Sequence, residues 1–153
     1  MRWLAIALGL AVLVSACGMV WINGAKMDAA VWHIDPATVE RTGRPNDYLV
    51  APEGVTAAAP DRVADVFEEA PDTLLARFAD IAMAEPRVTE IGGGAVFRTF
   101  VQRSKLVGFP DFLTVKSVPV AGGASLVVYS RSQYGYSDLG VNKARVEDWL
   151  SKL

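Results

Sequence analysis

His33 is the only imidazole in the chain, and Cys17 is its only thiol. Zinc and copper sites draw mainly on histidine and thiolate, and a lone His33 standing two residues from Asp35 in a proline-bounded loop falls short of one. No metal site is expected, and His33 reads as a loop histidine hydrogen-bonded locally. A serine triad needs its histidine beside a serine on a sharp strand-to-helix turn, and no G-x-S-x-G occurs. Glu68 and Glu69 are adjacent acids just before a helix, a dipole-matched start rather than a hydrolytic pair. The glycine runs Gly92-Gly93-Gly94 and Gly122-Gly123 precede strands, not helices, so they read as turns instead of phosphate cradles. No cofactor is expected.

Charge distribution is more informative than these motifs. The formal net charge is only −2, yet from Asp28 to Glu90 there are 13 acids against 5 bases. From Arg98 to Arg131 there are 5 bases, with Asp111 the single acid. Either the bases form a face for an anionic ligand such as a lipid headgroup or an acidic polymer, or they pair with the acidic stretch inside one small domain. A sequence pI near 5.4 argues against nucleic acid as a partner.

The elements that must position these residues follow from periodicity and breakers. Residues 23–60 carry Pro36, Pro45, Pro52 and Pro60 with no sustained period, and read as an extended lead-in lying over the domain. A short strand is expected near Ala64 to Phe67. Pro71 opens a helix with Asp72 in its first turn, apolar at Leu74, Leu75, Phe78, Ile81 and Ala82, and closed by Pro86. Two hairpins come next, Val88–Ile91 with Ala95–Arg103 and Asp111–Val120 with Ser125–Ser132. A final helix is expected from Asn142 as N-cap, with Val146, Trp149, Leu150 and Leu153 on one stripe. This order predicts an α+β domain over residues 61–153, with a mainly antiparallel sheet of four to five strands and two helices packed on one face. A helix-grip arrangement, with the last helix across a curved sheet, is one specific version.

Residues 1–22 stand apart, since 18 of the 22 are apolar and Arg2 is the only charge. Trp3 to Ile22 would span about 30 Å as a helix, the thickness of a bilayer's hydrocarbon core. Trp3 and Trp21 near its ends suit the headgroup level, which favours an uncleaved membrane helix. Leu13-Val14-Ser15-Ala16-Cys17 instead resembles a bacterial lipoprotein box, with lipid attached at Cys17. Positive charge before the run weakly places the N-terminus in the cytoplasm, and hence the domain in the periplasm of an inner-membrane, single-pass protein. Without the leader, about 47% of the residues are apolar, an ordinary globular content.

Three segments combine breakers with functional side chains: Trp32-His33-Ile34-Asp35-Pro36, Thr42 to Tyr48, and Tyr129 to Asn142. In the last, Ser137, Asp138 and Asn142 are capping-type residues, so one reading is a structural corner braced by Arg131. The other gathers Arg44, Arg103, Arg131, Tyr134 and Asp138 around a pocket at the sheet edge, where guanidinium groups would grip a carboxylate or phosphate. Together with Val101–Ser104 and Gly108–Phe112, these segments resemble the bacterial and plastid family catalogued as domain of unknown function 1499. The resemblance covers nearly the whole domain and implies a small domain, often behind a signal or single-span segment, with no established reaction. The expected function is a membrane-anchored periplasmic binding or accessory domain that contacts an envelope protein complex or an anionic small ligand. The rival is an envelope enzyme using Asp111 or Asp138 as acid or base beside Arg131.

Overall fold

The computed structural model describes residues 27–41 and 43–153, together with Ile6, Gly18 and Gly24. Its elements begin with a single helical turn, α1 (Ala29–Trp32), and a 3-10 turn at Pro36–Thr38. Strands β1 (Asp47–Ala51), β2 (Arg62–Val63) and β3 (Val66–Phe67) precede helix α2 (Pro71–Ala84). Strands β4 (Val88–Gly92), β5 (Phe97–Arg103), β6 (Pro110–Val120) and β7 (Gly123–Ser132) follow, and helix α3 (Val141–Leu150) ends the chain.

The sheet has seven strands, in the order β2-β1-β7-β6-β5-β4, with β3 pairing to β7 beside that path. Its long ladder is the β6–β7 hairpin, in register from Asp111 opposite Ser132 to Val120 opposite Gly123. The β1–β2 pair is parallel, whereas the other pairings are antiparallel. Both expected hairpins and both longer helices are present. The expected four to five mainly antiparallel strands are corrected to seven in a mixed sheet, with three helices among the described residues. The additional strands are β1, inside the proline-rich lead-in, and the two-residue β2, while β3 falls within the short strand expected near Ala64 to Phe67. As for a membrane helix over residues 3–22, that stretch lies outside the described residues except for Ile6 and Gly18, and no helix among those described is long and apolar enough to cross a membrane.

Alternation along the strands makes two layers of packing. Tyr48, Val50, Phe100, Leu113, Val115, Leu126 and Val128 point to one face, where they bury Leu74, Leu75, Phe78 and Ala82 of α2 with Val146 and Trp149 of α3. Phe78 and Trp149 meet edge to face at 6.1 Å, so the two helices lie side by side on that face. The helix-grip version, with the last helix lying across the sheet, gives way to two helices that share that face. The opposite face carries Leu49, Ala51, Val127 and Tyr129, closed over by Val39 with Val55 and Ala58.

The lead-in therefore works as a strap across the second face. Trp32 lies flat on Phe112, with ring centroids 3.8 Å apart and planes within 3°. His33 stacks on Phe97 at 4.3 Å, and its Nδ1 is 2.9 Å from the Thr99 hydroxyl. Asp35 accepts from Lys116 at 2.5 Å, and Arg41 donates to Asp47 at 2.6 Å. His33 thus finds a partner 66 residues away and not a local one. The opposed charge halves meet in part as internal pairs, at Lys116 with Asp35 and at Arg98 with Glu90.

Candidate functional site

The five candidate residues all stand at one end of the sheet, where β5 and β7 finish and β1 and β6 begin, but they do not share one hollow. Arg44 and Arg131 line a cleft of about 300 Å³ with Trp32, Ile34, Glu40, Asn46, Tyr129, Ser132 and Gln133. Tyr134 and Asp138 line a second of about 300 Å³ with Ser104, Phe109 and Asp111. Arg103 lines a third of about 460 Å³ with Arg87, Ser104, Lys105 and Leu106. Ser132 borders the first two clefts and Ser104 the last two, so the three are contiguous around this end.

Asp138 is engaged by the start of α3. Its carboxylate accepts from the backbone N–H groups of Gly140 and Asn142 at 2.9 and 2.7 Å. The expected N-cap Asn142 is corrected to a buried first-turn residue, and Gly140, at φ 83°, stands at the cap position. Asn142 is drawn inward because its amide bridges elements: Nδ2 donates to the Asn46 carbonyl at 3.0 Å, and Oδ1 accepts from Ser130 at 2.6 Å and from Arg145 at 2.7 Å.

Arg145 completes this network and was not among the sequence candidates. Its Nη2 meets Asp111 at 2.7 Å, Nε meets Gln102 Oε1 at 2.6 Å, and Nη1 meets Ser130 and Asn142. A signal existed. Asn142, Arg145, Val146 and Trp149 fall at helical spacing on one stripe, and an arginine and an asparagine on an apolar stripe must bring polar partners with them. Asp111 and Asp138, the acids of the enzyme reading, are thus bound by Arg145 and by the helix start, on the sheet face opposite the Arg131 side chain.

Arg131 is as buried as Arg145, each 9% exposed, but it is supplied very differently. Strand alternation places it on the strap face beside Tyr129. Its guanidinium lies 5.3 Å from the Trp32 ring and 5.0 Å from the Tyr129 ring, within cation–π range of both. Nη2 donates to the Trp32 carbonyl at 2.8 Å, while Nη1 is buried with no partner. Asp47 stands opposite Arg131 in the β1–β7 register, yet its carboxylate already accepts from Arg41 at 2.6 Å and from the Tyr129 hydroxyl at 2.9 Å. Burial accordingly pulls the Arg131 pKa below the ordinary guanidinium value, with Tyr129 and Asp47 opposing only in part. Gln133 Oε1, another wall of the same cleft, is also buried without a partner. Among the described residues no group of three or more His, Cys, Asp and Glu side chains could hold a metal ion.

The family described as a protein of unknown function, DUF1499, matches residues 34–153. The chain belongs to this family. No curated protein matches it, and no solved structure does. The DUF1499 match begins at Ile34 and so takes in most of the strap, the whole sheet, Arg131 and the Arg145 network.

Proposed function

We propose that the chain is a binding domain whose Arg131 cleft takes a small anionic ligand. The observation that carries this is the contrast between two equally buried arginines: Arg145 has a carboxylate and three further acceptors, whereas Arg131 has one carbonyl and an orphaned N–H. A buried donor left unmade costs about 1–3 kcal/mol, more when it is charged, and a carboxylate or phosphate oxygen at Nη1 would remove that cost. Trp32, Ile34 and Tyr129 supply apolar walls, and Gln133 Oε1 offers an acceptor for a ligand N–H or O–H. Nη1 is shielded from solvent, so entry requires a wall of the cleft to shift.

The envelope location read from the leader belongs to the same proposal. Intact mass of the chain extracted from membranes separates a retained Met1 from a lipidated Cys17.

The binding test uses the full chain in mild detergent with benzoate, N-acetylphenylalanine and phenyl phosphate as probes, followed by thermal shift and calorimetry. Saturable stabilisation by at least one probe, lost in Arg131→Met and retained in Lys116→Gln, is expected. No stabilisation by any probe, with a lone ordered water on Nη1 in a crystal structure, would overturn the reading.

A further inference from the structure

Two loops at the cleft end of the sheet expose apolar side chains that the fold does not use. Leu106, between β5 and β6, is 86% exposed, and Leu139, just before α3, is 94% exposed. Tyr136 on the second loop is 72% exposed. The loops are neighbours: Phe109 of the first and Tyr134 of the second have ring centroids 5.9 Å apart, and residues of both line one cleft.

Leu139 carries a second cost. It is held at φ 56°, in the left-handed region where a leucine is strained and a glycine is not. A strained leucine with an exposed side chain breaks two local rules, and such breaks point to a surface with a role outside the fold.

The surroundings say what that is. Arg87, Arg103 and Lys105 surround the hollow that Leu106 borders. The acids that come near in sequence are occupied elsewhere: Glu85 by Lys152 at 2.6 Å, Asp111 by Arg145 at 2.7 Å, and Asp138 by the start of α3. Protruding leucine and tyrosine beside a basic hollow is the chemistry of a surface that dips apolar tips below the headgroups of an anionic bilayer while its cations stay among the phosphates.

We infer that the 104–109 and 133–140 loops dock this end of the domain onto an anionic lipid bilayer. This surface adjoins the Arg131 cleft through Ser132 and Gln133 but rests on Leu106, Leu139 and the bases beside them, not on Arg131, and it does not require the leader to span.

The test uses the full chain with Cys17→Ser and a single environment-sensitive fluorophore on Leu139→Cys, or on Glu53→Cys at the far end of the sheet as control. Both are reconstituted with phosphatidylcholine vesicles, with and without phosphatidylglycerol. The expected result is a blue-shifted emission at position 139, quenched by brominated lipid, only when phosphatidylglycerol is present, with position 53 unchanged. Arg87→Gln and Lys105→Gln should each lower the docked-to-free ratio roughly fivefold, and Leu106→Ser should abolish the shift. Equal emission in both vesicle types, or an equal shift at position 53, overturns the inference. In an unlabelled chain, Leu139→Gly relieves the strain, so a higher melting temperature with lost quenching of a probe at Leu106→Cys supports docking. Unchanged quenching there counts against a role for Leu139.

Discussion

Arg145 and Asp111 form a buried ion pair at 2.7 Å, with side chains only 6% and 12% exposed, and it ties α3 to the first residues of β6. Gln102 accepts from its Nε, and Ser130 and Asn142 accept from its Nη1. Breaking such a pair from one side leaves an uncompensated charge in a dry site, which costs about 3–5 kcal/mol. Asp111→Ala should therefore destabilise the domain by about that much in urea unfolding. The double variant Asp111→Ala with Arg145→Met should recover most of the loss, because both charges are then gone. A loss in the double variant equal to the sum of the losses in Asp111→Ala and Arg145→Met alone would mean that the pair is not coupled.

Arg131 should behave in the opposite way. Its removal forfeits one hydrogen bond to a carbonyl and two ring contacts, but it also takes an unpaired cation and an orphaned N–H out of the interior. These terms nearly cancel, so Arg131→Met should stay within about 1 kcal/mol of the parent chain. A loss as large as that of Asp111→Ala would show that Arg131 braces the corner as a structural residue.

These two arginines illustrate what a reader of the sequence can see. Helix α2 and the two hairpins were legible because their apolar residues repeat at 3.6 or 2, and because Pro71, Pro86 and the glycine runs mark the ends. Strand β1 was not. Asp47–Ala51 is five residues framed by Pro45 and Pro52, and four of the five are buried, so it shows no alternation to distinguish it from an ordered loop. Two-residue strands such as β2 have no period at all. The candidate arginines were legible as charges near turns. Which had a carboxylate was not, because the partners lie as far away as Asp111 is from Arg145, and because Asp47 is consumed by Arg41 and Tyr129.

His33 offers a local test of how the strap is held. Gly92 packs against it so closely that an added Cβ would stand 2.5 Å from the imidazole Cγ and Nδ1. No neighbour can remain at that distance. Gly92→Ala should therefore displace the ring from Phe97 and break its 2.9 Å contact with Thr99, leaving Thr99 to the Thr114 hydroxyl at 3.0 Å. The single histidine makes this simple to follow, since one imidazole resonance reports the change. Hydrogen exchange should rise over residues 28–36 with little change in β6 and β7. An unmoved imidazole resonance in Gly92→Ala would rule out this packing.

Alkaline pH should loosen both faces of β1. The Tyr48 hydroxyl donates to Glu147 at 2.7 Å on the helix face, and the Tyr129 hydroxyl donates to Asp47 at 2.9 Å on the strap face. Burial first, and then the neighbouring carboxylate, pushes the Tyr48 hydroxyl up to about 12 and raises Tyr129 as well. The unfolded chain releases these protons near pH 10, so the folded state holds them more tightly. Their stabilisation is complete below about pH 10 and is lost as the pH rises through the folded values. The melting temperature should fall steeply from pH 10 to pH 12, in step with tyrosinate absorbance. Tyr48→Phe removes one hydrogen bond, worth about 1 kcal/mol, and should lower the neutral-pH melting temperature while flattening the alkaline decline. A decline as steep in Tyr48→Phe and Tyr129→Phe as in the parent would assign the alkaline transition to other groups.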